Sequence, residues 1–213
     1  ASIEALDRLG LNALFVPERY GGTRGTYRLY LAVVRLISEA CAATGTIYAT
    51  SFHGMGPVID HGSEAQKSRF LPRIAQGSLG ALAITEPEAG SDATGMQTRF
   101  RPDGGDIVVD GGKIFITNGD VADLILLFGK WSEIEDPRKA ISALVLEKGT
   151  PGFEILRLED KMGHRASSTA EIAFRGCHVP RANLLGEPGD GLPILLASLN
   201  KSRPSIAAHA LGI

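Results

Sequence analysis

Long apolar runs are missing from this chain. No stretch approaches the roughly 20 consecutive apolar residues that a spanning helix needs, so a membrane-spanning reading fails. Cysteine is nearly absent, with Cys41 and Cys177 alone. Two thiols are too few for a disulfide-stapled scaffold and fit a reducing compartment, so a bacterial cytoplasm or a mitochondrial matrix is expected. Blocks of one charge sign are absent as well: 22 Lys+Arg and 24 Asp+Glu are interspersed and leave a net charge of −2. Nothing resembles the basic stripe that grips a phosphate backbone, and no nucleic-acid partner is expected.

Several chemical signatures are also missing. No Gly-x-Gly-x-x-Gly stands between a first strand and a helix, which makes nicotinamide binding by that route improbable, and there is no P-loop. The histidines at 53, 61, 164, 178 and 209 lack metal-ligand spacing, and no metal site is expected. Gly176-Cys177-His178 follows a strand pattern and precedes Val179-Pro180, without the sharp elbow that nucleophiles favour. Glu86 and Glu88 flank Pro87 in a turn and read as solvated.

What is present reads as three blocks. Tyr30, Val33, Val34, Ile37 and Cys41 follow the spacing of one helix face, which predicts a buried Cys41. A short apolar helix is expected over 51–61. Ser63-Glu64-Ala65-Gln66 has the form of a capping box and opens a further helix, which Leu71-Pro72 should interrupt before Gly77 ends it. From Leu79 the pattern turns to short branched runs between Gly, Asp and Asn turns. The candidate strands are 80–85, 96–101, 106–109, 113–117, 123–130, 141–147 and 171–174, with hairpin loops at Asp103-Gly104-Gly105 and at Asp110-Gly111-Gly112. Helix returns near Gly191, with Pro204 expected to interrupt or kink it.

The expected fold is therefore α+β: a helical domain at 1–79, a middle antiparallel β-barrel or sandwich domain at 80–186, and the start of a C-terminal helical bundle at 187–213. Helix, then sheet, then helix excludes a doubly wound sheet. The first residue is not methionine, residues 1–6 enter an amphipathic pattern without a targeting signature, and residues 207–213 read as a helix still in progress. A piece of a longer protein is expected.

The most informative segment is Ile84-Thr85-Glu86-Pro87-Glu88-Ala89-Gly90-Ser91-Asp92, followed by Phe115-Ile116-Thr117-Asn118-Gly119. Together they supply hydroxyls, an aromatic wall and a glycine-serine turn whose N–H groups can face an anion. With Ser63-Glu64-Ala65-Gln66-Lys67, Lys161-Met162-Gly163-His164-Arg165-Ala166-Ser167 and Asn183-Leu184-Leu185-Gly186, all in order, the chain resembles an acyl-CoA dehydrogenase.

That resemblance implies FAD-dependent α,β-dehydrogenation of an acyl-CoA. A carboxylate removes the α-proton, a hydride leaves the β-carbon for flavin N5, and electrons pass to electron-transferring flavoprotein. It implies a homo-oligomer, tetramer or dimer. Carried over by motif, Leu82, Ile84, Thr85, Gly90, Ser91, Phe115, Ile116 and Thr117 line the flavin, with Phe115 where the family often has Trp. Ser91, Lys130, Asn200 and Arg203 are the substrate candidates, although Asn200 stands where the family commonly has Asp. The catalytic residue is not identified, because the family's usual glutamate is expected beyond Ile213. Acyl-CoA oxidases and nitroalkane oxidases share these motifs and form the alternative, as does a non-catalytic subunit.

Overall fold

The computed structural model describes residues 2–23 and 25–213. A short helix α1 (Ser2–Arg8) precedes α2 (Tyr27–Ala40), α3 (Ala42–His61) and α4 (Glu64–Ala75). The Thr26 hydroxyl accepts from the Leu29 N–H to open α2. The capping box of α4 is formed: the Ser63 hydroxyl accepts from Gln66 N–H while the Gln66 side chain accepts from Ser63 N–H. Gln66 also donates to the carbonyls of Ala182 and Leu184, at 2.8 and 2.6 Å, and so ties the start of α4 to the end of the sheet.

Several helical expectations need correction. Cys41 is exposed, because α2 ends at Ala40 and Cys41 is extended (φ −161°), off the helical period. The next helix starts at Ala42 rather than near residue 51, and a Cβ on its buried Gly45 would lie 2.2 Å from Ser38 Oγ of α2. Pro72 does not interrupt α4, nor does Pro204 interrupt the last helix, α5 (Gly191–Gly212). In each, packing of the surrounding helix outweighs one missing backbone bond.

The middle of the chain forms one eight-stranded sheet: β1 (Gly80–Ala83), β2 (Arg99–Asp103), β3 (Asp106–Thr117), β4 (Leu124–Trp131), β5 (Ile141–Glu147), β6 (Phe153–Leu158), β7 (Thr169–Pro180) and β8 (Leu184–Leu185). The order is β6-β7-β3-β2-β4-β5-β8, with β1 joined to β4. The sheet is mixed rather than antiparallel throughout, since β1 and β2 each run parallel to β4. The hairpin at Gly104-Gly105 is formed, pairing Asp103 with Asp106.

The second expected hairpin is not there. Residues 106–109 and 113–117 belong to one strand, β3, whose register against β7 shifts between Val109 and Gly111 and again between Lys113 and Ile116. Gly111 adopts φ 142°, and a Cβ on it would lie 2.7 Å from Thr98, so the Gly-Gly pair makes a bulge and not a turn. The edge strand β6 went unpredicted, because Ile155, Leu156 and Leu158 break strict alternation and all are exposed.

The helices meet the sheet through α3 and β1. A Cβ on Gly54 would sit 2.6 Å from the Ala81 carbonyl, so only glycine allows this approach. The Ser51 hydroxyl accepts from Gly80 N–H at 3.1 Å, and Asn118 donates to the carbonyls of Ile47 and Gly80 at 3.1 and 3.3 Å. One apolar core runs from Val34, Phe52 and Phe70 through Ala81, Leu126 and Phe128 to Ile172.

Candidate functional site

Two segments meet beside the open end of β1. After Ala83 the chain leaves the sheet, and the Ile114 N–H of β3 donates to the Thr85 carbonyl at 2.9 Å. Thr85 thus lies directly against the segment that continues into Phe115, Ile116 and Thr117. Leu82, Ile84, Thr85 and Thr117 are half-buried, while the Ile116 side chain lies in the core and leaves only its backbone available.

Phe115 is the anomaly of the molecule. It sits at the second irregularity of β3 with φ 58°, and its side chain is 58 % exposed. A bulky residue in the left-handed region costs of order 1 kcal/mol or more, and an exposed ring recovers little of that by burial. The conformation leaves an aromatic surface in the open, one residue beyond the Ile114 N–H that holds the Thr85 carbonyl. Asn118, φ 63°, ends the motif and is buried with its Oδ1 unpartnered.

Glu86 departs from the solvated reading. It is buried and its carboxylate pairs with Lys113 Nζ at 2.7 Å, the side chains being 2 % and 0 % exposed. Lys113 also donates to the Ile84 carbonyl at 2.9 Å, and the carboxylate accepts from the backbone N–H groups of Gln97 and Thr98. Burial by itself would raise the Glu86 carboxyl, but the Lys113 ammonium and these hydrogen bonds hold it below the usual range. Burial lowers Lys113 to about 8 against the pull of Glu86. A lysine inside a strand pattern and an acid in a turn carried no sequence signal of meeting. Their separation along the chain hides the pair.

Beyond Glu86 the chain turns, with Glu86 and Ala89 exchanging backbone hydrogen bonds at 3.0 and 3.1 Å. Among the described residues, no protein acceptor meets the N–H groups of Gly90, Ser91 and Asp92. The Asp92 carboxylate accepts from the Thr94 N–H and hydroxyl, which hold its pKa down, with weaker help from the charges of Arg138 and Lys130. Lys130 therefore lies within electrostatic reach of the Gly90-Ser91 turn.

Asn200 and Arg203 are placed elsewhere. Both are exposed on α5, where Arg203 donates to the Asn200 side-chain Oδ1 at 3.0 Å. Between them Lys201 pairs with Asp60 of α3 at 2.5 Å. No hydrogen bond or ion pair among the described residues joins this turn of α5 to the segment 84–92.

A polar cluster that the sequence did not reveal lies nearby. His164, in the left-handed region at φ 52°, brings Nδ1 to 3.2 Å from the Thr46 hydroxyl, which is 3.3 Å from His209 Nε2. His209 Nδ1 lies 2.7 Å from Ser38 Oγ, and burial lowers its pKa. The loop before β7 is thereby pinned to α2, α3 and α5.

Among the described residues, the N–H groups of Thr85, Gly90, Ser91 and Asp92 meet no protein acceptor, and the Phe115 ring is exposed.

Comparison with known proteins gives the chain a family. The model of the acyl-CoA dehydrogenase N-terminal domain matches residues 1–78, and that of the middle domain matches residues 81–177. An acyl-CoA dehydrogenase of Bacillus subtilis is 41% identical over 213 residues, covering 99% of this chain and 56% of the relative. The butyryl-CoA dehydrogenase structure from Megasphaera elsdenii superposes with a TM-score of 0.94 at 36% identity, covering 99% of this chain and 56% of that one. A chain in a structure described as the electron transferring flavoprotein of Acidaminococcus fermentans gives 0.95 at 38% identity, again over 99% and 56%. The chain thus spans about half the length of the curated relatives it matches.

Proposed function

The chain belongs to the acyl-CoA dehydrogenase family, carrying its N-terminal and middle domains, and from that membership we propose that the protein desaturates an acyl-CoA thioester between its α and β carbons with FAD as the electron acceptor. The observation that carries this reading is the exposed Phe115 at φ 58°, one residue from the Ile114 N–H that holds the Thr85 carbonyl, with no protein acceptor on the Thr85 N–H among the described residues. Strain and open donors persist in a fold when a ligand uses them.

In this reading Leu82, Ile84, Thr85, Phe115, Ile116 and Thr117 enclose the flavin ring, and Gly90 and Ser91 receive its pyrophosphate. When bound, FAD supplies a two-electron acceptor that the protein's own side chains do not offer. Thr85 and Thr117 hold the ring edge by hydrogen bonds, and Phe115 excludes water from one face. Ser91 and Lys130 meet the CoA chain and a phosphate, while Asn200 and Arg203, exposed on α5 and hydrogen-bonded to each other, stand as substrate residues on the family resemblance alone. Glu86, the carboxylate next to Thr85, is already paired with Lys113 and so is not offered as the base that takes the α-proton.

Residues 1–79, 80–186 and 187–213 act as a helical unit, a β unit and the start of a second helical unit. The assembly is a homo-oligomer, tetramer or dimer, that hands electrons to electron-transferring flavoprotein. Purified full-length protein is expected to be yellow, and to lose its visible flavin absorbance on anaerobic addition of a short acyl-CoA. A colourless protein, or a yellow one that no acyl-CoA bleaches, sinks the proposal. Reoxidation by electron-transferring flavoprotein faster than by oxygen separates a dehydrogenase from an oxidase.

A further inference from the structure

A buried lysine is costly. Removing an ammonium and a carboxylate from water costs several kcal/mol each, and an apolar pair of similar volume often serves stability as well. Lys113 and Glu86 are nevertheless enclosed to 0 % and 2 % side-chain exposure. Lys113 also reaches one backbone carbonyl beside Glu86. Lys113 Nζ donates to the Ile84 carbonyl at 2.9 Å and to Glu86 Oε1 at 2.7 Å. Glu86 is itself fixed by the N–H groups of Gln97 and Thr98 and by the backbone exchange with Ala89.

The geometry of the peptide group sets the consequence. The chain has no cis peptide among the described residues, and in a trans unit the C=O and N–H point in opposite directions. With the Ile84 carbonyl held on the ammonium, the Thr85 N–H points away from Lys113. The next carbonyl, of Thr85, is held separately by the Ile114 N–H at 2.9 Å, so both peptide units around Thr85 are fixed. Among the described residues no protein acceptor receives the Thr85 N–H. A cation on a carbonyl draws electron density through the amide and makes its N–H a stronger donor.

We propose that Lys113, locked by Glu86, is a positioning residue that fixes and polarises the Ile84–Thr85 peptide, so that the Thr85 N–H is presented as a strengthened donor to the bound flavin. This rests on the flavin reading of the cleft. A donor of this kind favours the reduced ring, which carries the greater negative charge, over the oxidised one. Lys113 does not touch the ring; it acts through Thr85.

The test uses the full-length holoenzyme and the double variant Lys113→Met with Glu86→Gln, which leaves no unpaired buried charge. Circular dichroism and thermal melting establish that it folds. Its two-electron flavin potential is expected to fall by about 30 mV or more, which is a tenfold loss in affinity for reduced over oxidised flavin. A folded double variant with the parent's potential overturns the proposal. A measurement on the unsubstituted holoenzyme stands independently of variant folding: with threonine labelled by nitrogen-15, the Thr85 amide proton is expected to move downfield when the flavin is reduced. An unmoved Thr85 resonance also overturns it. A parent protein that holds no flavin defeats the reading of the cleft instead.

Discussion

His53 lies buried on α3 with Nε2 2.5 Å from Ser205 Oγ of α5, and burial lowers its pKa from 6.5 to about 4. A depressed folded pKa means that the native state prefers the neutral ring. The stability it contributes is therefore complete above pH 6.5 and is lost as pH falls toward 4. At pH 5 the loss is about 2 kcal/mol. Urea unfolding of the protein and of His53→Leu at pH 7 and pH 5 measures it: the variant's stability falls less, by about that amount. Equal losses in the two proteins would remove the argument.

Phe115 makes the opposite kind of prediction. Phe115→Asn places a residue that tolerates positive φ where φ is 58°, and gives up a side chain that is 58 % exposed. Its melting temperature should match or exceed the parent's, while its flavin dissociation constant rises tenfold or more in a fluorescence titration. A variant that loses stability and keeps its flavin would assign the ring to folding. At this scale the sequence was legible where a motif gathers its own residues, as in Phe115 to Asn118. It was not legible for Glu86 and Lys113, because a buried pair formed across two segments leaves no periodicity behind. Cys41 misled for a related reason: one extended residue between α2 and α3 removes it from the helix face.

At the scale of elements, the contact of α3 with β1 orders the cleft. Gly54→Val would force a side chain onto the Ala81 backbone, where a Cβ already falls at 2.6 Å. Overpacking of this kind costs about 1–3 kcal/mol, and the accompanying shift of β1 should weaken flavin binding too. Denaturant midpoints and a flavin titration on the same sample test both parts. Ser63→Ala removes one half of the α4 capping box and should cost about 1 kcal/mol without touching the flavin. The box was readable from four residues, since capping is local. The parallel pairing of β1 and β2 with β4 was not, because register between distant strands is decided by their packing and not by their own alternation. The bulge in β3 had the same glycines as a hairpin, and Thr98 on the neighbouring strand decided between them.

For the whole molecule, the order of helical, sheet and helical blocks was visible because hydrophobic period changes from 3.6 to 2 and back along the chain. The exposed Phe115 ring lies where the bulged strand β3 meets the segment after β1, and we read it, with the N–H groups that meet no protein acceptor among the described residues, as the flavin seat. Crystals of the full-length protein grown with FAD test that claim most directly through the density of the cofactor. The isoalloxazine is expected within hydrogen-bond distance of the Thr85 N–H and packed on Phe115, with the pyrophosphate at the N–H groups of Gly90, Ser91 and Asp92. Flavin density anywhere else, or none at saturating FAD, would contradict it.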